Sequence, residues 1–215
     1  MKGSIFVSHP NFGIFPFEYD LEDLNKVMVD LEGQIILIGN STGCQVIMTY
    51  INRHINNKIV LCILQGSVSD TEYFESQRHK YNYNEKFRFE DETGTIIDNE
   101  VDNKDIENIF RYDGIIYIHE RYVSLYKRHG IEDLFSSYLE DEHYKNLNKN
   151  NYKLIFVISD KDEFVVKKID DKLRHVKNSE IINFREGDHF LHNKESQKEF
   201  IKLIKKEIHK MRVHQ

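Results

Sequence analysis

The chain has 215 residues, 40% of them apolar and only two of them proline, which is enough for one well-cored domain and short for two. A net charge of −6 with 31% charged residues lacks the basic excess of a nucleic-acid binder and describes an ordinary solvated surface. The two cysteines, Cys44 and Cys62, lie in apolar segments and cannot build a secreted disulfide framework. The start, "MKGSIFVSHPNFG", has too short an apolar stretch for a signal core, and no segment reaches the roughly 18 apolar residues of a membrane span. A reducing cytoplasm fits these features best.

In chain order, "SIFV" (4–7) reads as a short strand. A helix is then expected from Asp20, which is able to cap it, with Leu21, Leu24, Met28 and Leu31 at helical spacing. "QIILIG" (34–39), bounded by Gly33 and Gly39, has the continuous apolar pattern of a strand buried on both faces, and Val46, Ile47, Tyr50 and Ile51 recur after it as a helix stripe. "KIVLCILQG" (58–66) and "YKLIFVIS" (152–159) repeat the buried-strand pattern. A helix around 163–174, a strand "EIINF" (180–184) and a last helix carrying Phe200, Ile201, Ile204 and Ile208 complete the pattern. Continuous apolar strands alternating with helices predict an α/β protein: a mostly parallel sheet covered on both faces.

Residues 83–150 break this rhythm. Their first half is acidic and weakly periodic, while "YVSLYKRHGIEDLFSSYLEDEHYKNL" is helical in part, so the segment reads as an insertion between two core strands. Such an insertion above a sheet's carboxyl edge is either a lid or, in its acidic half, a surface loop. "KNLNKNNYK" (145–153) reads as a solvated connector.

The junction after the strand at 34–39 carries the chemistry. Gly39-Asn40-Ser41-Thr42-Gly43 satisfies G-x-S-x-G, the turn in which small neighbours let the backbone swing sharply and expose a serine Oγ above the sheet. The pattern alone is weakly specific, and its setting at the end of a strand and the start of a helix is what supports it. A serine there needs a base and an acid, in the order Ser, Asp or Glu, His. "FVISDKDEFVV" sets Asp160, Asp162 and Glu163 just past a buried strand, and "INFREGDHFLHNKE" offers His189 after the next strand, with His192 three residues on. Asp70, in "LQGSVSD", is a fallback acid whose plainer role is a turn or helix cap. No histidine pairs with cysteine or carboxylate at metal-ligand spacing, and this chemistry needs neither a metal nor a cofactor.

"GNSTGCQVIMTYI", "ILQGSVSDTEYFESQ", "IHERYVSLYKRHGIEDLFSSYLEDE", "VISDKDEFVV" and "EGDHF" resemble, in this order, blocks of the fungal siderophore esterase family, which includes fusarinine C esterases. The resemblance runs from about residue 4 to residue 205. It implies an α/β-hydrolase fold, with Ser41 as nucleophile, Asp162 as acid, His189 as base, the Thr42 N–H as an oxyanion donor, and 83–150 as a cap on a single domain of 1–215. Asn40 stands where the family usually has histidine and Val166 where it has proline, and neither change removes a catalytic group. The segment "SIFVSHPNFGIFPFEYDLEDL" resembles the family's fourth strand and following helix, so the resemblance implies a chain that begins past the first strands. The family's glycine-rich "GGLGDG" loop, source of the second oxyanion donor, then has no counterpart. Loss of one such donor costs on the order of 10²–10³ in turnover.

Two readings follow. In the first, the chain is a serine hydrolase that cleaves small-molecule carboxylic esters, hydroxamate siderophore esters by the resemblance, through Ser41, His189 and Asp162. A thioesterase or short-chain carboxylesterase would use the same residues. In the second, it is a truncated α/β-hydrolase, catalytically impaired or non-catalytic.

Overall fold

The computed structural model describes residues 12–78, 89–90, 96–97, 109–112 and 115–213. The strand expected at 4–7 lies outside them. A 3-10 turn at Phe12–Ile14 leads into α1 (Phe17–Asp30), after which β1 (Ile35–Asn40), α2 (Thr42–Arg53), β2 (Ile59–Gln65) and α3 (Asp70–Arg78) alternate. Two antiparallel pairs follow, β3 (Phe89–Glu90) with β4 (Ile96–Ile97) and β5 (Ile109–Tyr112) with β6 (Ile115–Ile118). Helices α4 (His119–Tyr126) and α5 (Asp141–Lys145) come next, then β7 (Leu154–Ser159), α6 (Asp170–Leu173), β8 (Ser179–Phe184) and α7 (Lys194–Val213). The chain divides into two compact units: Met1–Leu31 with Ser69–Ser136, and Glu32–Val68 with Ser137–Gln215.

The second unit is built on a parallel sheet with strand order β1-β2-β7-β8. The two central strands are the most apolar runs of the chain: every residue of β2 but Val60, and every residue of β7 but Ile158, is buried. On one face Leu61, Ile63, Ile155, Val157 and Phe184 pack with Leu203 of α7, flanked by Phe200 and Ile204. Alternation sends Cys62, Leu64, Leu154 and Phe156 to the other face, where they are equally buried. Each such Leu or Ile side chain contributes roughly 1.5–3 kcal/mol of transfer free energy. The stripe of α2 is deeper than the four expected positions, adding Cys44, Gln45 and Met48 to Val46, Ile47, Tyr50 and Ile51.

Several expectations are corrected. Strand β1 is not buried on both faces: Ile35, Leu37 and Gly39 are buried while Ile38 is 47% exposed. Among the described residues β1 is one edge of the sheet, with β8 the other, and Ile36 is its one residue packed against the cluster on the α7 face. The helix expected around 163–174 shrinks to α6. Asp162 is the reason, because its carboxylate accepts the Phe164 N–H at 3.0 Å and its carbonyl the Val165 N–H at 3.3 Å, a turn that competes with helix. In α7 the buried stripe runs through Leu203, and Ile201 is half-exposed. Helix α1 begins at Phe17 behind Pro16, whose ring fixes φ, and Asp20 falls inside the first turn instead of capping it.

In the first unit, Phe74 of α3 packs with Tyr117 of β6 and with Tyr122, Leu125 and Tyr126 of α4. The Tyr117 and Tyr126 hydroxyls are 2.9 Å apart. Arg121 is fully buried between two carboxylates, Asp20 at 2.6 Å and Glu132 at 2.9 Å. The "DLFSS" stretch is a polar knot: the Ser136 hydroxyl lies 2.5 Å from that of Ser69 and donates to Asp133, which also accepts the His129 N–H at 2.8 Å. His129 has φ 62, a left-handed backbone that this bond holds in place. No helix among the described residues is long and apolar enough to cross a membrane.

Candidate active site

All the parallel strands of the second unit end at one edge, and the residues singled out from the sequence follow those ends. Ser41 comes directly after β1, Asp162 after β7 and His189 after β8. Ser41 has φ 54 and ψ −127, a conformation that L side chains rarely adopt, so the turn holds the serine in a strained backbone state. Two backbone bonds fix it there: its N–H donates to the Gln65 carbonyl at 3.0 Å, and its carbonyl accepts the Cys44 N–H at 2.8 Å.

The two glycines of the motif do different work. A Cβ on Gly39 would stand 2.8 Å from the Gly43 backbone and 2.9 Å from Ile47 Cδ1, so β1 and α2 approach closely only because that position is bare. A Cβ on Gly43 would meet nothing within 4 Å. Thr42 is the first residue of α2, where the N–H has no carbonyl of its own helix to bond and the helix dipole favours negative charge.

Asp162 and His189 are in direct contact. His189 Nδ1 lies 3.0 Å from Asp162 Oδ1 and 2.9 Å from Oδ2, and both side chains are almost completely buried. A carboxylate at Nδ1 selects the tautomer with its proton on that nitrogen and leaves Nε2 as the acceptor. Ser41 is tied to this pair through Gln65, whose carbonyl holds the Ser41 N–H and whose side-chain Nε2 donates to the His189 carbonyl at 3.1 Å.

The other candidates have other partners. Asp160 is held below the usual carboxylate range by the Asn183 amide at 3.1 Å and then by Lys168 at 3.3 Å. Glu163 accepts the His189 backbone N–H at 3.2 Å and does not touch the ring nitrogen that Asp162 holds. His192 is exposed and bonded through Nδ1 to Asp188 at 3.1 Å; Asp188 is held low first by the His192 amide. Asp70 opens α3 in the other unit.

Several contributors escape a reading by motif. Gly66 has φ +66, and a Cβ there would stand 3.1 Å from His189 Cε1 and 3.2 Å from Nδ1, so only glycine lets the imidazole lie where it does. The Phe164 ring centroid is 4.4 Å from that of His189, and the half-exposed Phe190 ring is 4.8 Å from it on edge. Asn40 and Gln65 bond to one another and both reach the His189 carbonyl. The one sequence signal for Gln65 is a lone polar side chain at the end of a run that is otherwise fully apolar.

The model of the family described as "Protein of unknown function (DUF1749)" matches residues 6–213. No curated protein matches the sequence significantly. Alpha/beta hydrolase domain-containing protein 10 from mouse is similar in structure, with a TM-score of 0.56 and 16% identity over 94% of this chain and 72% of that one. Est1E from Butyrivibrio proteoclasticus gives a TM-score of 0.56 and 15% identity over 94% of this chain and 72% of that one. The chain spans 62% of the esterase domain from a Rhodothermus marinus protein, with 82% of this chain covered, 13% identity and a TM-score of 0.46. The likeness to the mouse protein and to Est1E shows an α/β-hydrolase fold.

Proposed function

The chain belongs to the DUF1749 family, and from its α/β-hydrolase fold and the geometry around Ser41 we propose that it is a serine hydrolase of carboxylic esters. The observation that carries the proposal is the buried Asp162–His189 pair, 2.9 Å apart, at the same sheet edge as a serine held at φ 54.

As Ser41 Oγ attacks the ester carbonyl carbon, His189 Nε2 takes its proton, and the Thr42 N–H donates to the oxyanion that forms. The imidazolium, steadied by Asp162, then gives that proton to the leaving alkoxide as the C–O bond breaks, which leaves an acyl-Ser41. Water then gives its proton to His189 as it attacks the acyl carbon, and the imidazolium returns that proton to Ser41 Oγ as the acyl C–Oγ bond breaks and the acid leaves. This chemistry needs no metal, and with a ferric siderophore ester the iron would arrive with the substrate. The rings of Phe164 and Phe190 give this edge an apolar wall suited to the hydrocarbon part of an ester. The blocks that resemble siderophore esterases favour hydroxamate siderophore esters among such substrates.

Steady-state and burst kinetics with p-nitrophenyl acetate test the reaction class. An acyl-enzyme burst of one equivalent per chain, lost in Ser41→Ala, is the expected result. Hydrolysis that survives Ser41→Ala at the wild-type rate would remove Ser41 from the mechanism. Competition between a ferric hydroxamate ester and the nitrophenyl ester then tests the substrate class.

A further inference from the structure

A base must be placed as well as oriented, and the Asp162 bond fixes only the tilt of the His189 ring and its tautomer. Where Nε2 stands also depends on the Cα from which the ring hangs, and that Cα lies in a loop after β8. Both peptide groups around it are bonded to side chains. The His189 N–H donates to Glu163 at 3.2 Å, and its carbonyl accepts from Asn40 Nδ2 at 3.1 Å and Gln65 Nε2 at 3.1 Å. Asn40 and Gln65 are the last residues of β1 and β2 and are register partners in the sheet. The Asn40 amide also donates to Gln65 Oε1, which turns the Gln65 amide so that its Nε2 faces the histidine. The Gln65 carbonyl meanwhile holds the Ser41 N–H at 3.0 Å. One residue at the centre of the sheet is therefore the common reference for the backbone of the serine and the backbone of the histidine.

We propose that Gln65 and Asn40 are positioning residues that set the His189 imidazole relative to Ser41, a role that rests on the serine-hydrolase reading above. Gln65 uses its main chain for the serine and its side chain for the histidine. Asn40 locks the Gln65 amide and adds a second donor to the same carbonyl. A displacement of about 1 Å at a reacting group costs up to a hundredfold in rate.

The test compares wild type with Asn40→Ala and Gln65→Glu. Asn40 is exposed, so its truncation leaves the core intact, and Gln65→Glu keeps shape and acceptor while removing the Nε2 donor. Nitrogen-15 NMR of the His189 ring reads the tautomer directly, and fluorophosphonate labelling reads the reactivity of Ser41. The expected result is the Nδ1-protonated tautomer in all three proteins, since each keeps the Asp162 bond, with the Nε2 resonance displaced in both variants. Labelling should be ten- to a hundredfold slower in the variants, with an unchanged unfolding midpoint for Asn40→Ala. Identical ring spectra and labelling rates in all three proteins would overturn the proposal. A wild type that never labels would sink the hydrolase reading instead, while the ring spectra still decide whether Asn40 and Gln65 place the histidine.

Discussion

His189 is the residue on which the account turns, because it contacts Asp162 through its ring and Glu163, Asn40 and Gln65 through its backbone. Asp162→Asn keeps the shape but favours the wrong tautomer, and the expected outcome in ester turnover is a drop of about 10⁴ in kcat with KM nearly unchanged. Equal loss in KM would point to a role in binding. Phe190 should behave in the opposite way. Its ring is 52% exposed beside the imidazole, so Phe190→Ala is expected to raise KM for an aryl ester several-fold and leave the unfolding midpoint where it was. That Ser41, Asp162 and His189 each come after the end of a parallel strand could be read from the chain, because each follows an apolar run that ends at a turn. The Gly66 and Gln65 contacts could not, since they depend on which strand ends lie side by side, and strand order is not a local property of sequence.

At the scale of elements, the strand-to-helix turn yields a paired prediction. Gly39→Ala drives a methyl group into the Gly43 backbone and Ile47, and overpacking of this kind costs about 1–3 kcal/mol. Gly43→Ala lies inside α2 with free space around it and should be neutral or stabilising, by up to about 1 kcal/mol. Thermal unfolding of the two variants checks this, and equal destabilisation would show that the turn needs both glycines. The ion group on α4 predicts a pH effect. Burial pushes Glu132 up to about 8, against the pull of Arg121. A carboxyl that binds its proton more tightly folded than unfolded contributes most below its unfolded pKa, near 4.5, and loses that contribution as pH rises to about 8. The slope is at most about 1.4 kcal/mol per pH unit. Asp141, Asp160 and Asp188 are held low and act with the opposite sign, below the ordinary carboxylate range, so the windows do not overlap. Urea unfolding between about pH 5 and 8 should show the decline in wild type and a flatter line in Glu132→Gln; equal slopes would contradict the assignment. Long apolar runs made β2 and β7 readable from sequence, whereas the expected helix at 163–174 failed because Asp162 spends its hydrogen bonds on a turn. The antiparallel pairing of β5 with β6 also went unread, because two four-residue strands are too short to show a period in the sequence.

For the whole molecule, the alternation of apolar runs with helix stripes was sufficient to expect a mostly parallel sheet covered on both faces, while the narrower expectation of an α/β-hydrolase fold, which the structural likenesses show, came from the resemblance of the sequence blocks. What stayed hidden were long-range pairs such as Arg121 with Asp20, which join residues about a hundred positions apart and leave no local pattern. The sheet centre also supplies a probe of global opening. Cys62 is fully buried in β2, and burial pushes its thiol up to about 12, so a thiol reagent near pH 8 should modify it only as fast as the sheet opens. Rapid modification in the folded state would contradict that packing. The most direct test of the central claim is a fluorophosphonate probe applied to the folded chain, followed by peptide mapping. The account predicts one adduct, on Ser41, absent in Ser41→Ala and much slower to form in Asp162→Asn. A folded, pure chain that carries no adduct on Ser41 after prolonged exposure would contradict it.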